Sequence, residues 1–349
     1  MHPLQPIACL YGKIAQWRNQ LYDNGKRTSI RFTVPTIAIG NLCTGGTGKT
    51  PMAAYIVEQW QDQCQIALLS RGYRRRSKGF VWANANSTAD DIGDEPAQLK
   101  RRFPRLEVAV AENRALGIPL LLYQLDTTPD FILLDDAFQH RVVQPHLSIL
   151  LTTYDQPYTR NYLLPRGTLR EPIAGATRAD IIIVTKAPVQ LSTADRQALI
   201  TELAPTRQQI VLFAHLQYGT IYPLFDGIPN PPNPDDPQTG VLLACGIAQP
   251  RELEQYARSR YTTLKTSYFG DHHRYTPRDW QNIETTLATL PTTQSMILTT
   301  EKDAPRWLQL HQQLGCPPPL PIYCLPVTTA FAPQDAAILR QAIEKVIAK

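Results

Sequence analysis

Residues 36–51 read TIAIGNLCTGGTGKTP. A short β-branched apolar run leads into a glycine-rich turn, and a lysine–threonine pair opens the helical pattern MAAYIVEQW (52–60). This is the layout of a phosphate-binding loop. The flexible turn Thr44, Gly45, Gly46, Thr47 and Gly48 lets backbone N–H groups point inward at a polyphosphate. Lys49 neutralises the β/γ oxygens, Thr50 supplies a hydroxyl to Mg²⁺, and the positive helix N-terminus adds to the field. Gly48, Lys49 and Thr50 satisfy the pattern GxxxxGK[ST] strictly, whereas Cys43 stands where its first glycine belongs. Cys43 has no evident acid–base partner and is expected to pack.

Working outward from the loop, residues 36–209 alternate apolar strands with helical stretches. TIAIGN, QIALLS (65–70), VAVA (108–111), FILLDD (131–136), LSILLT (147–152) and DIIIVTK (180–186) are the strands. Their near-continuous apolar character predicts a buried, doubly wound parallel sheet of the P-loop NTPase type. Ligands of such sheets bind beyond the strands' carboxyl ends, where the glycine loop falls. Residues 210–223 read as a hairpin around Tyr218 and Gly219, followed by a proline-rich stretch to about 240, together a hinge. A second, smaller α/β domain is expected over 241–349.

Residues 1–35 form a separate region. Ile7, Leu10, Ile14, Trp17 and Leu21 recur at helical spacing, with Lys13 and Arg18 off the stripe. Such an amphipathic helix either packs on the domain or lies in a membrane interface. No apolar run approaches the roughly 18–20 residues that span a bilayer, and no secretory core is expected at the start. The six cysteines at 9, 43, 64, 245, 316 and 324 form no CxxC pair. They fit reduced thiols better than disulfides or structural zinc.

The formal charge of +5 favours anionic partners. The densest basic cluster, RGYRRRSKG (71–79), is a solvated loop or contacts phosphate, nucleic acid or an acidic membrane surface. No aromatic stacking series or helix-turn-helix pattern accompanies it, so nucleic acid is not expected.

Several further segments carry chemistry. Asp135 and Asp136 end an apolar strand in the Walker B manner, suited to holding Mg²⁺. The segment DDIGDEPAQLKRR (90–102) gathers Asp90, Asp91, Asp94 and Glu95 at a helix start. Such acids cap helices, and one of them facing the phosphate site can also accept a hydroxyl proton. DHHRY (271–275) sets His272 and His273 beside an aspartate without the further ligands that zinc requires. LPRGTLREP (164–172) offers Arg166, Arg170 and Glu171, and AENRALGI offers Arg114. TTEKD (299–303), with Lys302, occupies a position used for nucleobase recognition but is not the guanine-specific NKxD.

Taken in order, GNLCTGGTGKTP, LSRGYRRRSKG, DIGDEPAQL, LLDDAFQHR, LLPRGTLREP, GIAQP, FGDHHRYTPRD and LTTEKDAPR resemble the tetraacyldisaccharide 4′-kinases over nearly the whole chain. Each motif alone is modest; the ordered series is specific. The resemblance implies ATP- and Mg²⁺-dependent phosphorylation of the 4′-hydroxyl of an acylated disaccharide 1-phosphate, a lipid A precursor. It implies Asp94 as base with a histidine of the DHH segment as partner, His272 or alternatively His273, and Thr50, Asp135, Asp136, Gln139 and Glu171 around the metal. Lys49, Arg114 and Arg170 would line the site with them, and Lys302 would join the loop residues in binding the nucleotide. Ala137 replaces a usual glycine and GIAQP varies a GIxNP pattern, but neither change removes a chemical group. The lipid substrate tips residues 1–35 toward membrane contact, peripheral on the cytoplasmic face of the inner membrane, with no obligate protein partner. The rival reading is a nucleotide-driven switch or metallochaperone-type NTPase, which would hydrolyse nucleotide without a lipid acceptor.

Overall fold

A computed structural model describes residues 3–233, 236 and 238–348. Its strands fall into two sheets. The first draws on β1 (Thr36–Asn41), β2 (Ile66–Ser70), β3 (Val81–Trp82), β4 (Glu107–Val110), β5 (Phe131–Asp135), β6 (Leu147–Thr153), β7 (Ile181–Thr185) and β8 (Ile210–Tyr218). The second is built from β9 (Tyr222–Pro223), β10 (Thr239–Cys245), β11 (Thr263–Tyr268), β12 (Gln294–Thr300) and β13 (Ile322–Leu325). The last strand, β14 (Val327–Phe331), returns to the first sheet.

The order of the large sheet is β14-β8-β7-β6-β1-β5-β2-β4-β3. Its internal strands run parallel, and the edge strands β14 and β3 run antiparallel to their neighbours. Strands β1, β2, β5 and β7 are buried at every position, as covering on both faces demands. The small sheet has the order β11-β10-β12-β13-β9. The expected class, a doubly wound P-loop-type sheet joined to a smaller α/β domain, is the observed one.

The helices in chain order are α1 (Gln5–Asp23), α2 (Lys49–Trp60), α3 (Ala89–Ile92), α4 (Asp94–Arg102) and α5 (Arg114–Gln124). Then come α6 (Thr193–Leu203), α7 (Arg251–Arg260), α8 (Pro277–Ala288), α9 (Ala304–Gln313) and α10 (Pro333–Ile347). On one face of the large sheet α2, α4 and α10 bury Met52, Ile56, Leu99, Leu339 and Ile343 in one core. On the other face α5 contributes Ile118 and Leu121, and α6 contributes Leu199 and Leu203.

Two expectations fail here. Residues 210–223 do not form a hairpin: β8 pairs parallel with β7 and antiparallel with β14, while β9 pairs with β13 in the other sheet. Leu212, Phe213 and Ala214 are buried because β8 is an interior strand, and the turn residues mark a crossing between sheets. The chain also crosses back before its end. β14 and α10 complete the first domain, so the second domain does not extend to 349. At the double crossing, Gly219 N–H donates to the Pro326 carbonyl (2.9 Å). Pro234, Asp235 and Pro237 of the proline-rich stretch lie outside the described residues.

Asp335 at the start of α10 secures the return. Its carboxylate accepts both Nη atoms of Arg196 (2.8 and 2.7 Å) and the Phe213 N–H (2.8 Å). Leu339 and Ile343 are fully buried, so Leu339→Ala and Ile343→Ala should each destabilise the protein by about 2–5 kcal/mol. Urea unfolding checks this; losses below about 1 kcal/mol would mean that α10 is not part of the first core.

Candidate active site

The phosphate loop grows from the carboxyl end of β1. Gly48, at φ +85°, turns the chain into α2, whose first residues are Lys49 and Thr50. That left-handed conformation favours glycine. Thr47 is fixed on both sides: its hydroxyl accepts from Asn41 Nδ2 (2.7 Å), and its carbonyl accepts from the Thr185 hydroxyl (2.8 Å). Gly45 and Gly46 face open space. Thr44 N–H donates to the Thr168 carbonyl (2.7 Å), tying the loop's mouth to the 161–169 segment. Cys43 is buried there with its thiol pKa raised by desolvation, in keeping with packing.

Across from Lys49, β5 ends in two carboxylates with different environments. Asp136, at φ +47°, accepts Arg170 Nη1 at 2.9 and 3.1 Å and lies 3.4 Å from Lys49 Nζ. Burial alone would raise its pKa, but Lys49 and Arg170 hold it below the ordinary carboxylate value. Asp135 is pushed up to about 6 by burial and by its neighbour Asp136. Its Oδ2 accepts the Ser70 hydroxyl (3.1 Å), while its Oδ1 is buried without a partner among the described residues. An orphaned carboxylate oxygen is costly unless something fills the position.

Three residues expected at the reacting groups serve behind them instead. Arg114 is buried and donates from Nη2 to the main-chain carbonyls of Asp135 (3.0 Å) and Asp136 (3.2 Å). It therefore shapes the acidic turn rather than reaching into the site, and its burial lowers its pKa to about 10. Glu171 is also buried, with its carboxylate taken up by Arg178 Nη2 (2.8 and 2.9 Å), Gln139 Nε2 (3.0 Å) and Asn19 Nδ2 (2.8 Å). Gln139 divides its amide between Glu171 and the Asn41 carbonyl (2.8 Å). Each Glu171 oxygen already accepts two hydrogen bonds, so the metal role expected of Glu171 does not fit this arrangement, whereas Gln139 is engaged through Nε2 alone. Arg178, Asn19 and Ser70 escaped the sequence reading because nothing in their spacing points to a site.

The second half of the site is shared between the domains, with Asp94 from the first and His272 and Lys302 from the second. Gly93 adopts φ +91°, and a Cβ there would lie 3.0 Å from Gly72 and from the Tyr73 carbonyl. Only glycine lets the 71–79 loop sit this close, and it delivers Asp94 to the first turn of α4. Asp94 Oδ2 lies 2.6 Å from His272 Nδ1, an imidazole held in the left-handed region at φ +58°. His272 Nε2 stands 3.3 Å from Lys302 Nζ, which also donates to Asp271 Oδ1 (3.0 Å). An ammonium cannot accept, so this contact favours the neutral tautomer with the proton on Nδ1, donated to Asp94. His273 instead meets Asp279 (3.0 Å) and stacks on Phe269. Lys302, expected at a nucleobase, stands against the Asp94–His272 pair. Glu95 links the two halves. It lies 3.8 Å from Lys302 and 4.0 Å from His272 Nε2, and its charge also raises the Asp135 pKa.

A glycine cradle at a helix start, a paired strand-end carboxylate and a buried Asp–His pair opposite define a P-loop phosphotransferase whose acceptor is a hydroxyl group. The chain belongs to the tetraacyldisaccharide-1-P 4′-kinase family, whose model matches residues 1–348. It is 43% identical over 340 residues to the tetraacyldisaccharide 4′-kinase of Parabacteroides distasonis, covering 94% of this chain and 89% of that protein. Against the corresponding kinase of Bacteroides thetaiotaomicron the identity is 40% over 332 residues, covering 93% and 87%. The crystal structure of LpxK from Aquifex aeolicus in complex with ATP superposes with a TM-score of 0.75 at 25% identity, covering 99% and 98% of the two chains. The protein is accordingly a kinase of lipid A biosynthesis, and the switch or metallochaperone reading is not favoured.

The two aspartates make a pH prediction. Asp135 has a folded pKa raised above its unfolded value, so the folded state holds the extra proton between about pH 4 and 6. Its contribution to stability therefore falls as pH rises through that window. In nucleotide-free protein with chelator, Asp135→Asn should gain thermal stability relative to the parent between pH 4.5 and 7.5. A difference that stays flat with pH would show that Asp135 ionises normally.

Proposed function

We propose that this chain transfers the γ-phosphoryl group of ATP to the 4′-hydroxyl of an acylated disaccharide 1-phosphate, working peripherally on the cytoplasmic face of the inner membrane. The observation that carries the reading is the buried contact between Asp94, from the same domain as the Lys49 loop, and His272, from the other domain. In the reaction the 4′ oxygen attacks the γ-phosphorus while its proton passes to Asp94. The bond from the γ-phosphorus to the β,γ-bridging oxygen breaks, and ADP leaves. Lys49 and Arg170 face the equatorial oxygens and offset charge as it spreads. Asp94 is a weak base near neutral pH. His272 orients it, and closure of the domains keeps water from competing.

Mg²⁺ fits the acidic pair: the unpartnered Asp135 Oδ1, the ionised Asp136 and the hydroxyl of Thr50 are hard oxygen donors. When bound, it would supply positive charge that offsets the charge developing on the transferred phosphate. Because Asp135 titrates near 6, it is ionised and ready for a cation at neutral pH.

The membrane reading rests on α1. Its apolar stripe points outward: Ile7, Leu10, Ile14 and Trp17 are 55–61% exposed. The helix packs on the domain through its small residues, Ala8 and Gly12, where a Cβ on Gly12 would strike Leu163 at 2.5 Å. Its polar side meets the site: the Tyr11 hydroxyl donates to the Arg170 carbonyl (2.7 Å) and Asn19 to Glu171. No helix among the described residues is long and apolar enough to cross a membrane. A lipid headgroup region would cover the exposed stripe and hold the acceptor sugar beside Arg170.

The test supplies γ-labelled ATP and the acylated disaccharide 1-phosphate in phospholipid vesicles. The parent protein should label the 4′ position, and Lys49→Ala should lower the rate by about two to four orders of magnitude. Changing Ile7, Leu10, Ile14 and Trp17 together to Ser should abolish vesicle cosedimentation and slow labelling while leaving the melting temperature unchanged. Nucleotide hydrolysis indifferent to the acceptor would overturn the kinase reading. Unchanged vesicle binding by the Ser variant would overturn the interfacial role of α1.

A further inference from the structure

Arg306, at the start of α9, closes the LTTEKDAPR segment but is given no role in the sequence reading. It is 5% exposed and lies behind Asp94. Its guanidinium is clamped by three contacts: Nη2 donates to Asp303 Oδ1 (2.8 Å), Nη1 to the His273 carbonyl (2.8 Å), and the plane lies 5.8 Å from the Tyr275 ring centroid. Asp303, itself fully buried, also accepts the Tyr275 hydroxyl (3.0 Å), the Thr300 hydroxyl (2.6 Å) and the Gly246 N–H (3.1 Å). This fixes the clamp to the carboxyl ends of β10 and β12. The remaining donor, Nε, has no hydrogen-bond partner among the described residues and stands 3.6 Å from Asp94 Oδ1.

We infer that Arg306 is a positioning residue for the phosphoryl-transfer base: it fixes the plane of the Asp94 carboxylate and keeps it ionised. His272 hydrogen-bonds Oδ2 and the Arg306 charge faces Oδ1 at 3.6 Å, so the two oxygens sit in different fields and one orientation of the carboxylate is favoured. The other charged groups near the pair are Lys302, Glu95 and Asp271. Lys302 is shared between Glu95 and Asp271, which leaves Arg306 as the cation aimed at Asp94 itself. Burial works against ionisation of Asp94, and the His272 hydrogen bond and the Arg306 charge more than offset it. A cation beside a base lowers its intrinsic strength. In exchange the carboxylate is deprotonated at every pH the cell reaches, and its lone pair is aimed before the acceptor arrives. Because Arg306 and Asp303 belong to the second domain, the base is completed only when the domains are together.

The inference rests on Asp94 being the base, and the experiment separates the two claims. Turnover at saturating ATP and acceptor is measured from about pH 3 to 9 for the parent, Arg306→Gln, Arg306→Lys and Asp94→Asn. Arg306→Gln should lower kcat about 10- to 100-fold with KM values within about twofold, and move the acid limb of log kcat upward by about one pH unit. Arg306→Lys keeps the charge, so its acid limb should stay near the parent position while kcat falls by a smaller factor. A kcat loss in Arg306→Gln with the acid limb unmoved would show a purely structural role and overturn the inference. If that variant does not fold, a shift of a full unit in Arg306→Lys overturns it equally. Near-parental turnover in Asp94→Asn would instead remove the base assignment itself.

Discussion

The contact between Asp94 and His272 joins side chains 178 residues apart on two domains, and the geometry of the site follows from making that contact possible. It requires a glycine at 93 to bring α4 against the 71–79 loop, a left-handed backbone at His272, and a chain that crosses between sheets twice rather than once. The double crossing is why β14 and α10 return to the first core. A single linker would leave the second domain free to tumble, whereas paired strands at Gly219 and Pro326 restrict it to a hinge. The contacts that hold the domains together are mostly polar: Arg102 with Glu301 (3.2 Å), Arg274 with Asp90 (3.1 Å) and Lys186 with Gln249 (2.8 Å). The exposed Arg274–Asp90 pair contributes about 0–1 kcal/mol, whereas Glu301, Asp94, His272 and Arg306 are largely buried where they meet across the boundary.

The phosphate side works by separating like groups. Asp135 and Asp136 are adjacent in sequence, yet one is raised to about 6 and the other is held low by Lys49 and Arg170. Environment rather than residue type sets this difference. The layer behind them, Arg114 under the acidic turn and the Glu171–Arg178–Gln139–Asn19 cluster, keeps the turn and the Arg170 segment rigid. Through Asn19 and Tyr11 that layer continues directly into α1. The exposed apolar stripe of α1 and Arg170 are thus parts of one packed unit.

Much of this was legible in the sequence. Continuous apolar strands announced a parallel sheet, and GTGKT after β1 located the nucleotide end of it. Spacing could not show which way a charged side chain turns. Arg114, Gln139 and Glu171 lie in the right segments, but their hydrogen bonds run backward into the scaffold. Lys302 sits in the expected segment and faces the Asp–His pair. The stripe of Ile7, Leu10, Ile14 and Trp17 could be read as a core face or an interfacial one, and its exposure follows from Ala8 and Gly12, whose small size makes the opposite side the docking surface. The apparent hairpin at Tyr218–Gly219 failed for a related reason. A turn signal marks where a strand ends but not which sheet receives the next one, and β9 is only two residues long. Arg306 ends the LTTEKDAPR segment, but spacing could not assign it a role, because its partners His273, Tyr275 and Asp94 lie in distant parts of the chain.

A double-mutant cycle on kcat with Asp94→Asn and His272→Asn tests the central claim most directly. If the two side chains act as one unit across the domain boundary, the double variant should be no slower than Asp94→Asn alone, giving a large coupling energy. If instead the two losses multiply, Asp94 and His272 contribute independently, and the account of a base assembled by domain closure is wrong.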